Sequence, residues 1–248
     1  MAKTVLITGG NRGIGQQVAR VLATDGWDVI IAARDRGKAD VAAARLRKDT
    51  GGRLRGVAID VTQDDSVAAA AQQLRDGAIR LDALVNNAGI YNGPVQDTIE
   101  TNFFGPLRVT LGMLPLLRGG ATITNVTSGL GALANLDAAH AALLADPALT
   151  GAALDDHLRD FIDAGGTGWG ADAYAVSKAA LNALTRILAA ELHPRRIRVN
   201  ATDPGWVRTD MGGRNAPRSV EEGGASVIAG VTAAGTGEVM RDGLGIAP

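Results

Sequence analysis

Apolar residues fall in short, nearly unbroken runs along most of the chain. The runs at 4–8, 28–33, 54–59, 81–86, 121–126 and 197–201 are rich in Val, Ile, Leu and Ala. Each has the length of a strand, and their near-continuous apolarity is that of strands covered on both faces. Between them, apolar positions recur at helical spacing over 14–23, 39–47, 66–74, 95–117 and 174–192. This alternation predicts an α/β fold, a doubly wound and mostly parallel sheet of the Rossmann type with right-handed crossovers. No linker composition, repeat or low-complexity tract interrupts it, so one domain is expected over 1–248.

One stretch breaks the rhythm. More than 40 residues without a strand signal separate the run ending at Val126 from the helix that carries Tyr174. Leu136, Leu143 and Leu144 follow helical spacing, as do Leu154, Leu158, Phe161 and Ile162, and Pro147 divides the two groups. A helical insertion over 133–169, made of two helices, is expected there.

Composition narrows the chemistry. The 248 residues include no cysteine, which excludes a thiol nucleophile, a disulfide scaffold and a zinc–thiolate site. The 25 basic and 26 acidic side chains leave a net charge of −1, which argues against a nucleic-acid or anionic-membrane partner. No apolar run is long enough to span a membrane, and residues 1–3 lead straight into a strand pattern without a signal peptide. A soluble, cytoplasmic protein is expected. Its basic residues are nearly all arginine, with only Lys3, Lys38, Lys48 and Lys178 as lysines.

The first strand runs into Thr8-Gly9-Gly10-Asn11-Arg12-Gly13-Ile14-Gly15, followed by a helix. Glycines permit a tight turn and close approach of backbone to ligand. The helix N-terminus behind them offers free N–H groups and a positive dipole end to a pyrophosphate. A ligand-free glycine turn is the alternative, but the strand before and the helix after favour dinucleotide binding. The second strand bears on which dinucleotide. It ends at Ala33 where an acidic residue would hold a ribose 2′-hydroxyl, and Arg34 follows, suited to a 2′-phosphate. Arg12 offers a second cation. An ordinary exposed arginine is the competing reading for both, and Asp35 keeps NAD in play; the charge argument favours NADP. No metal ligand set is visible, and His140, His157 and His193 read as surface or packing residues.

Tyr174 and Lys178 lie four residues apart, on one face of a helix. A fixed cation beside a phenol favours phenolate and lowers its pKa, although such a pair is more often plain helix surface. Together with the glycine turn, Asp60-Val61, Asn86-Asn87-Ala88-Gly89, Asn102, Ser128 and Pro204-Gly205, in this order, the chain resembles the short-chain dehydrogenase/reductase family over essentially its whole length. The runs Glu100-Thr-Asn-Phe-Phe-Gly105 and Pro204-Gly-Trp-Val-Arg-Thr-Asp-Met211, with the insertion before Tyr174, are similar to its carbonyl-reductase-like branch. That branch is often monomeric, because the insertion covers a helix face used elsewhere for tetramer formation.

The resemblance implies an NADP-dependent oxidoreductase acting on C=O or CH–OH groups. NADPH would reduce a ketone, aldehyde or quinone by hydride transfer from the nicotinamide C4, from its pro-S face. Tyr174 would act as general acid, Ser128 would hold the carbonyl oxygen, Lys178 would bind the nicotinamide ribose and depress the tyrosine pKa, and Asn102 would hold a water linked to Lys178. Ser128 takes the catalytic role as the second residue of Thr127-Ser128, where relatives commonly show Ser-Ser. Asp60 and Val61 would face the adenine, Asn87, Ala88 and Gly89 the cofactor backbone, and Pro204, Gly205, Val207 and Thr209 the nicotinamide end. Trp169 and Trp206 are candidate aromatic walls for a substrate. An alcohol dehydrogenase of a biosynthetic pathway, run in the oxidative direction, and a non-catalytic cofactor-sensing regulator are the alternatives. The full Ser128, Tyr174, Lys178 and Asn102 set favours an enzyme.

Overall fold

A computed structural model describes residues 2–248. Eight strands form one sheet in the order β3-β2-β1-β4-β5-β6-β7-β8. They are β1 (Thr4–Thr8), β2 (Asp28–Ala33), β3 (Arg53–Ala58), β4 (Leu81–Asn86), β5 (Leu117–Val126), β6 (Arg198–Thr202), β7 (Val239–Arg241) and β8 (Leu244–Gly245). All neighbours pair parallel except β7 and β8. The order reverses direction between β1 and β4, and a crevice opens there at the carboxyl ends of the strands.

Strand pleating sends alternate residues to opposite faces. Val5 and Ile7 join one apolar layer while Leu6, between them, joins the other. The first layer is closed by α1 (Gly13–Thr24), α2 (Arg36–Thr50) and α9 (Val220–Thr232), through Val18, Leu22, Leu46, Val227 and Val231. The second is closed by α3 (Asp64–Asp76), α4 (Val95–Ile99), α5 (Gly105–Met113) and α8 (Ala173–Leu192), with the insertion helices α6 (Ala138–Ala145) and α7 (Gly151–Asp163) laid over it.

The expected strands are present within a few residues, and two more, β7 and β8, extend the sheet. Strand β5 begins earlier than its apolar run, at Leu117, with a register irregularity against β4. The helix expected over 95–117 is broken. One π-type turn, Glu100–Phe104, separates α4 from α5. Pro106, at the start of α5, has no N–H to donate back into the preceding turn, which accounts for the interruption. The turn carries Asn102, and such turns recur at functional sites. After β6, the glycine-containing run Val220–Thr232 forms α9, started by a reciprocal cap between Ser219 and Glu222. Its glycines permit close packing: a Cβ at Gly230 would meet Thr202 Oγ1 in β6, and one at Gly224 would meet Gln17 of α1 at 2.8 Å.

The insertion is the expected pair of helices. Asp137 caps α6 and Thr150 caps α7. Leu154, Leu158 and Phe161 bury one face of α7 against α4 and α8. Arg186 of α8 donates to the carbonyls of Leu144 (3.1 Å) and Asp146 (2.8 Å), tying the end of α6 down.

Candidate active site

Four loops meet at the carboxyl ends of β1, β4, β5 and β6. The first is the glycine turn. Gly9 and Gly13 have φ of +62° and +54°, which only glycine adopts without strain. The turn is stapled to β4: Asn87 donates its side-chain amide to the carbonyls of Thr8 (2.8 Å) and Gly9 (3.2 Å), and Thr8 Oγ1 accepts from the N–H groups of Asn87 and Ala88, both at 3.0 Å. Gly15 lies against this staple, since a Cβ there would come within 2.4 Å of Asn87 Nδ2 and 2.7 Å of the Gly9 carbonyl. Thr8 is thus a structural member of the site that had not been singled out, and the Asn87 side chain is committed to the turn.

Helix α1 starts at Gly13, and its N-cap residue Arg12 supplies no side-chain bond to the first turn. The leading N–H groups are therefore free of an N-cap side-chain partner. Asn11 accepts at its carbonyl from Gln16 Nε2 (3.0 Å), which fixes the turn's exit. Ile14 packs against the apolar layer beneath it. Thr209 rests on the turn, 3.4 Å from where a Gly13 Cβ would stand.

The cationic side of the turn is resolved by Asp35. Its carboxylate caps α2, Oδ1 accepting from Lys38 N–H at 2.8 Å. Arg34, beside it, is exposed and makes no ion pair among the described residues. Arg12 pairs with Asp210 at 3.2 Å, both side chains being exposed, and such a pair is held weakly. Asp60 turns its carboxylate to the N–H (3.0 Å) and hydroxyl (2.8 Å) of Thr62, and Val61 is buried beside Gly105. Gly89 lies between the two polar residues expected here: a Cβ would be 3.1 Å from Asn102 Oδ1 and 3.7 Å from Lys178 Nζ.

On the other side of the crevice, α8 begins with Asp172 accepting from Ala175 N–H at 2.8 Å, which sets the phase that turns Tyr174 and Lys178 to the site. Lys178 is only 5 % exposed, its Nζ donating to the Val126 carbonyl at 2.9 Å and lying 5.6 Å from the centre of the Tyr174 ring. Burial pushes this lysine down to about 8, against a smaller opposing effect of Asp203. Asn102 is fully buried and held like a strand neighbour: Oδ1 accepts from Ile90 N–H (2.9 Å) and Nδ2 donates to the Ile90 carbonyl (3.0 Å). Nδ2 also reaches Ser177 Oγ (3.1 Å), and Ser177 in turn donates to the Tyr174 carbonyl (2.7 Å).

Ser128 follows β5 in extended conformation, its hydroxyl accepting from Leu130 N–H at 3.2 Å. Its hydroxyl lowers the pKa of the Tyr174 phenol from close by, whereas Thr127 is buried and its hydroxyl donates to the Lys178 carbonyl at 3.4 Å. The pair is thereby split: Ser128 faces the phenol and Thr127 faces the fold. The phenol itself stands above the usual tyrosine value. Burial is the largest cause, Ser128 opposes it, and the charges of Asp203, Tyr91 and Asp172 add to it. Depression by Lys178 is not among the causes, because that lysine's nitrogen is turned to Val126 and its own charge is disfavoured by burial.

The tryptophans divide. Trp169 is 4 % exposed, stacked on His140 with ring centres 4.4 Å apart and edge-on to Phe161 at 5.6 Å. It is packing inside the insertion, and a ring so enclosed offers no wall to a substrate, which corrects the expectation for it. Trp206 is 59 % exposed beside the Pro204-Gly205 turn, its Nε1 donating to the Gly212 carbonyl at 2.8 Å. Tyr91, not foreseen, meets the Tyr174 ring edge-on at 4.9 Å; as one of two tyrosines, placed two residues past Gly89, it was findable.

Residues 3–140 match the family model described as short chain dehydrogenase. The chain belongs to the short-chain dehydrogenase/reductase family. Residues 160–234 match a second model, described as enoyl-(acyl carrier protein) reductase. The NADPH carbonyl reductase 3 of Rattus norvegicus is 33 % identical, over 92 % of this chain and 90 % of the relative. Salutaridine reductase from Papaver somniferum superposes with a TM-score of 0.85 at 25 % identity, covering 96 % of this chain and 99 % of that one. An NADPH-bound carbonyl reductase from chicken fatty liver does so with a TM-score of 0.76 at 26 % identity, over 100 % and 99 % of the two chains. These likenesses put the chain in the carbonyl-reductase-like branch of the family.

Proposed function

We propose that this protein is an NADPH-dependent carbonyl reductase, in which Tyr174 gives a proton to the carbonyl oxygen of an apolar ketone, aldehyde or quinone. The convergence of Ser128 and Tyr174 beside a buried Lys178, at the mouth of a glycine turn with open helix N–H groups, carries this reading. Relatives named for NADPH and carbonyl reduction support it.

The residues present fit a phosphorylated dinucleotide. The first turn of α1 would hold the pyrophosphate, and Arg34 would pair with the 2′-phosphate, joined by Arg12 once it leaves Asp210. Asp60 and Val61 would border the adenine, Ala88 and Gly89 the middle of the molecule, and Pro204, Gly205, Val207 and Thr209 its nicotinamide end. Bound NADPH supplies a hydride from its nicotinamide ring. The chain does the rest. Ser128 and Tyr174 hold the carbonyl oxygen with two hydroxyl groups, and the raised phenol pKa keeps Tyr174 loaded with the proton it must give at neutral pH. Lys178, in its ammonium form, would hold the ribose hydroxyls. Asn102, locked to Ile90, would anchor a water on the Lys178 side.

Tyr91, Leu130, Trp206 and Met211 are exposed apolar side chains on the loops that follow β4, β5 and β6. As a rim around Ser128 and Tyr174 they favour a substrate with apolar bulk beyond its carbonyl group. NADPH oxidation in the presence of ketones, aldehydes and quinones tests the reaction.

Lys178 gives a pH prediction. The ammonium is lost as pH rises through about 8 in the cofactor-free protein. Since kcat/KM for NADPH reports groups of the free enzyme, it should fall above that pH. Lys178→Arg, whose guanidinium does not titrate there, should lose the alkaline fall whatever rate it retains; a fall of unchanged midpoint would assign it to another group.

The same insertion bears on assembly. Helix α7 and the end of α6 occupy the faces of α4 and α8 that would otherwise be open for pairing. A monomer is expected in sedimentation velocity, and a stable tetramer would contradict it.

A further inference from the structure

Asp203 is a carboxylate with 1 % exposure placed directly behind the catalytic loop, immediately before Pro204-Gly205. Every polar atom it has is engaged. Oδ1 accepts from Gly205 N–H at 2.7 Å, its own N–H donates to the Met240 carbonyl at 2.8 Å, and its carbonyl accepts from Ser226 Oγ at 2.9 Å. Oδ2 takes two guanidinium bonds from Arg241 of β7, the Nε bond at 2.9 Å. The ion pair lies flat against the backbone next to Ser128: a Cβ at Gly129 would stand 2.8 Å from Arg241 Nη2 and 3.1 Å from Asp203 Oδ2. Arg241, unlike Asp203, is half exposed, so the carboxylate faces inward and its neutralising partner faces out.

We propose that Asp203 and Arg241 form a positioning pair for the Ser128–Tyr174–Lys178 centre, the carboxylate holding a negative field on the phenol and the arginine setting its strength. The proposal rests on reading Tyr174 as the proton donor only for its consequence in catalysis. A negative charge behind the phenol opposes phenolate, and behind Lys178 it favours the ammonium; Asp203 acts in both these directions on the two residues. The pair thus keeps the donor protonated and the lysine charged together, which reduction requires.

The charged and titratable groups around Tyr174 are few. Lys178 and Asp172 come from α8, Tyr91 from the loop after β4, and Asp203 from the end of β6; Ser128 after β5 is the hydroxyl neighbour. Around Asp203 the other cations are Lys178, whose Nζ is turned to the Val126 carbonyl, and Arg218, already paired with Asp242 at 2.6 Å, so Arg241, in direct contact, is the group that chiefly offsets its charge. A plain structural staple between β6 and β7 is the competing role.

The two roles separate by sign. The chain has two tyrosines, so in a Tyr91→Phe background the ultraviolet titration of tyrosinate in the intact, cofactor-free protein reads Tyr174 alone. Asp203→Asn keeps an acceptor for Gly205 N–H while removing the charge, and it should move the midpoint to lower pH. Arg241→Met leaves the carboxylate unopposed and should move it to higher pH, and Arg241→Lys should restore it most of the way. Movement in opposite directions supports the pair; no movement in Asp203→Asn, or movement of both variants in one direction, overturns it in favour of a staple. If Arg241→Met does not fold by circular dichroism, Asp203→Asn and Arg241→Lys still decide: a downward shift in the first with a near-parental midpoint in the second supports the pair. The titration reads the phenol whether or not Tyr174 is catalytic, so its failure is distinct from failure of the proton-donor reading, which the activity of Tyr174→Phe decides.

Discussion

Replacing Tyr174 with Phe should lower carbonyl reduction by roughly a hundred- to ten-thousand-fold, the range removed with a positioned general acid. NADPH binding should change little. The substitution deletes one oxygen and keeps the ring that Tyr91 meets edge-on and that Lys178 flanks, so packing at the start of α8 is retained. Ser128 still offers a hydrogen bond to the carbonyl oxygen, which leaves a residual rate above the uncatalysed one. NADPH affinity, followed by nicotinamide fluorescence, and turnover, followed by NADPH oxidation, therefore part company in this variant. Loss of both together would point to a damaged fold, and loss of neither would take Tyr174 out of the chemistry.

Arg34→Ala should weaken NADPH by roughly tenfold to a hundredfold, the worth of charge-assisted hydrogen bonds to one phosphate, and leave NADH nearly unchanged. Arg34 is exposed and without an ion-pair partner among the described residues, while the adjacent carboxylate of Asp35 accepts from Lys38 N–H at the start of α2. Arg12 shares the load only after giving up Asp210, so it cannot replace Arg34 fully. Comparable losses for the two cofactors would place the 2′-phosphate elsewhere.

The central strands were readable because each has a local cause. The mainly apolar runs at 4–8, 28–33 and 81–86 coincide with β1, β2 and β4, since a strand covered on both faces is apolar along most of its length. Tyr174, Lys178 and Ser128 were legible through the order of motifs. Four things were not. Helix α9 was hidden by Gly223, Gly224 and Gly230, whose poor propensity is outweighed by the close packing they allow, although the Ser219–Glu222 cap announced it. Trp169 was misplaced because an aromatic near a site has no sequence mark that separates wall from core; stacking on His140 decides it. Asp203 and Arg241 stand 38 residues apart, and only the pairing of β6 with β7 brings them together. Likewise the raised phenol pKa could not come from the Tyr–Lys spacing, because it depends on burial and on where Lys178 turns its nitrogen.

The most direct measurement is NADPH oxidation against a panel of carbonyl compounds, repeated with NADH and with Tyr174→Phe. Turnover with apolar ketones, aldehydes or quinones, strong preference for NADPH, and loss of that turnover in the variant are expected. Tight NADPH binding with no turnover on any carbonyl, or equal turnover in wild type and Tyr174→Phe, would contradict the proposed function.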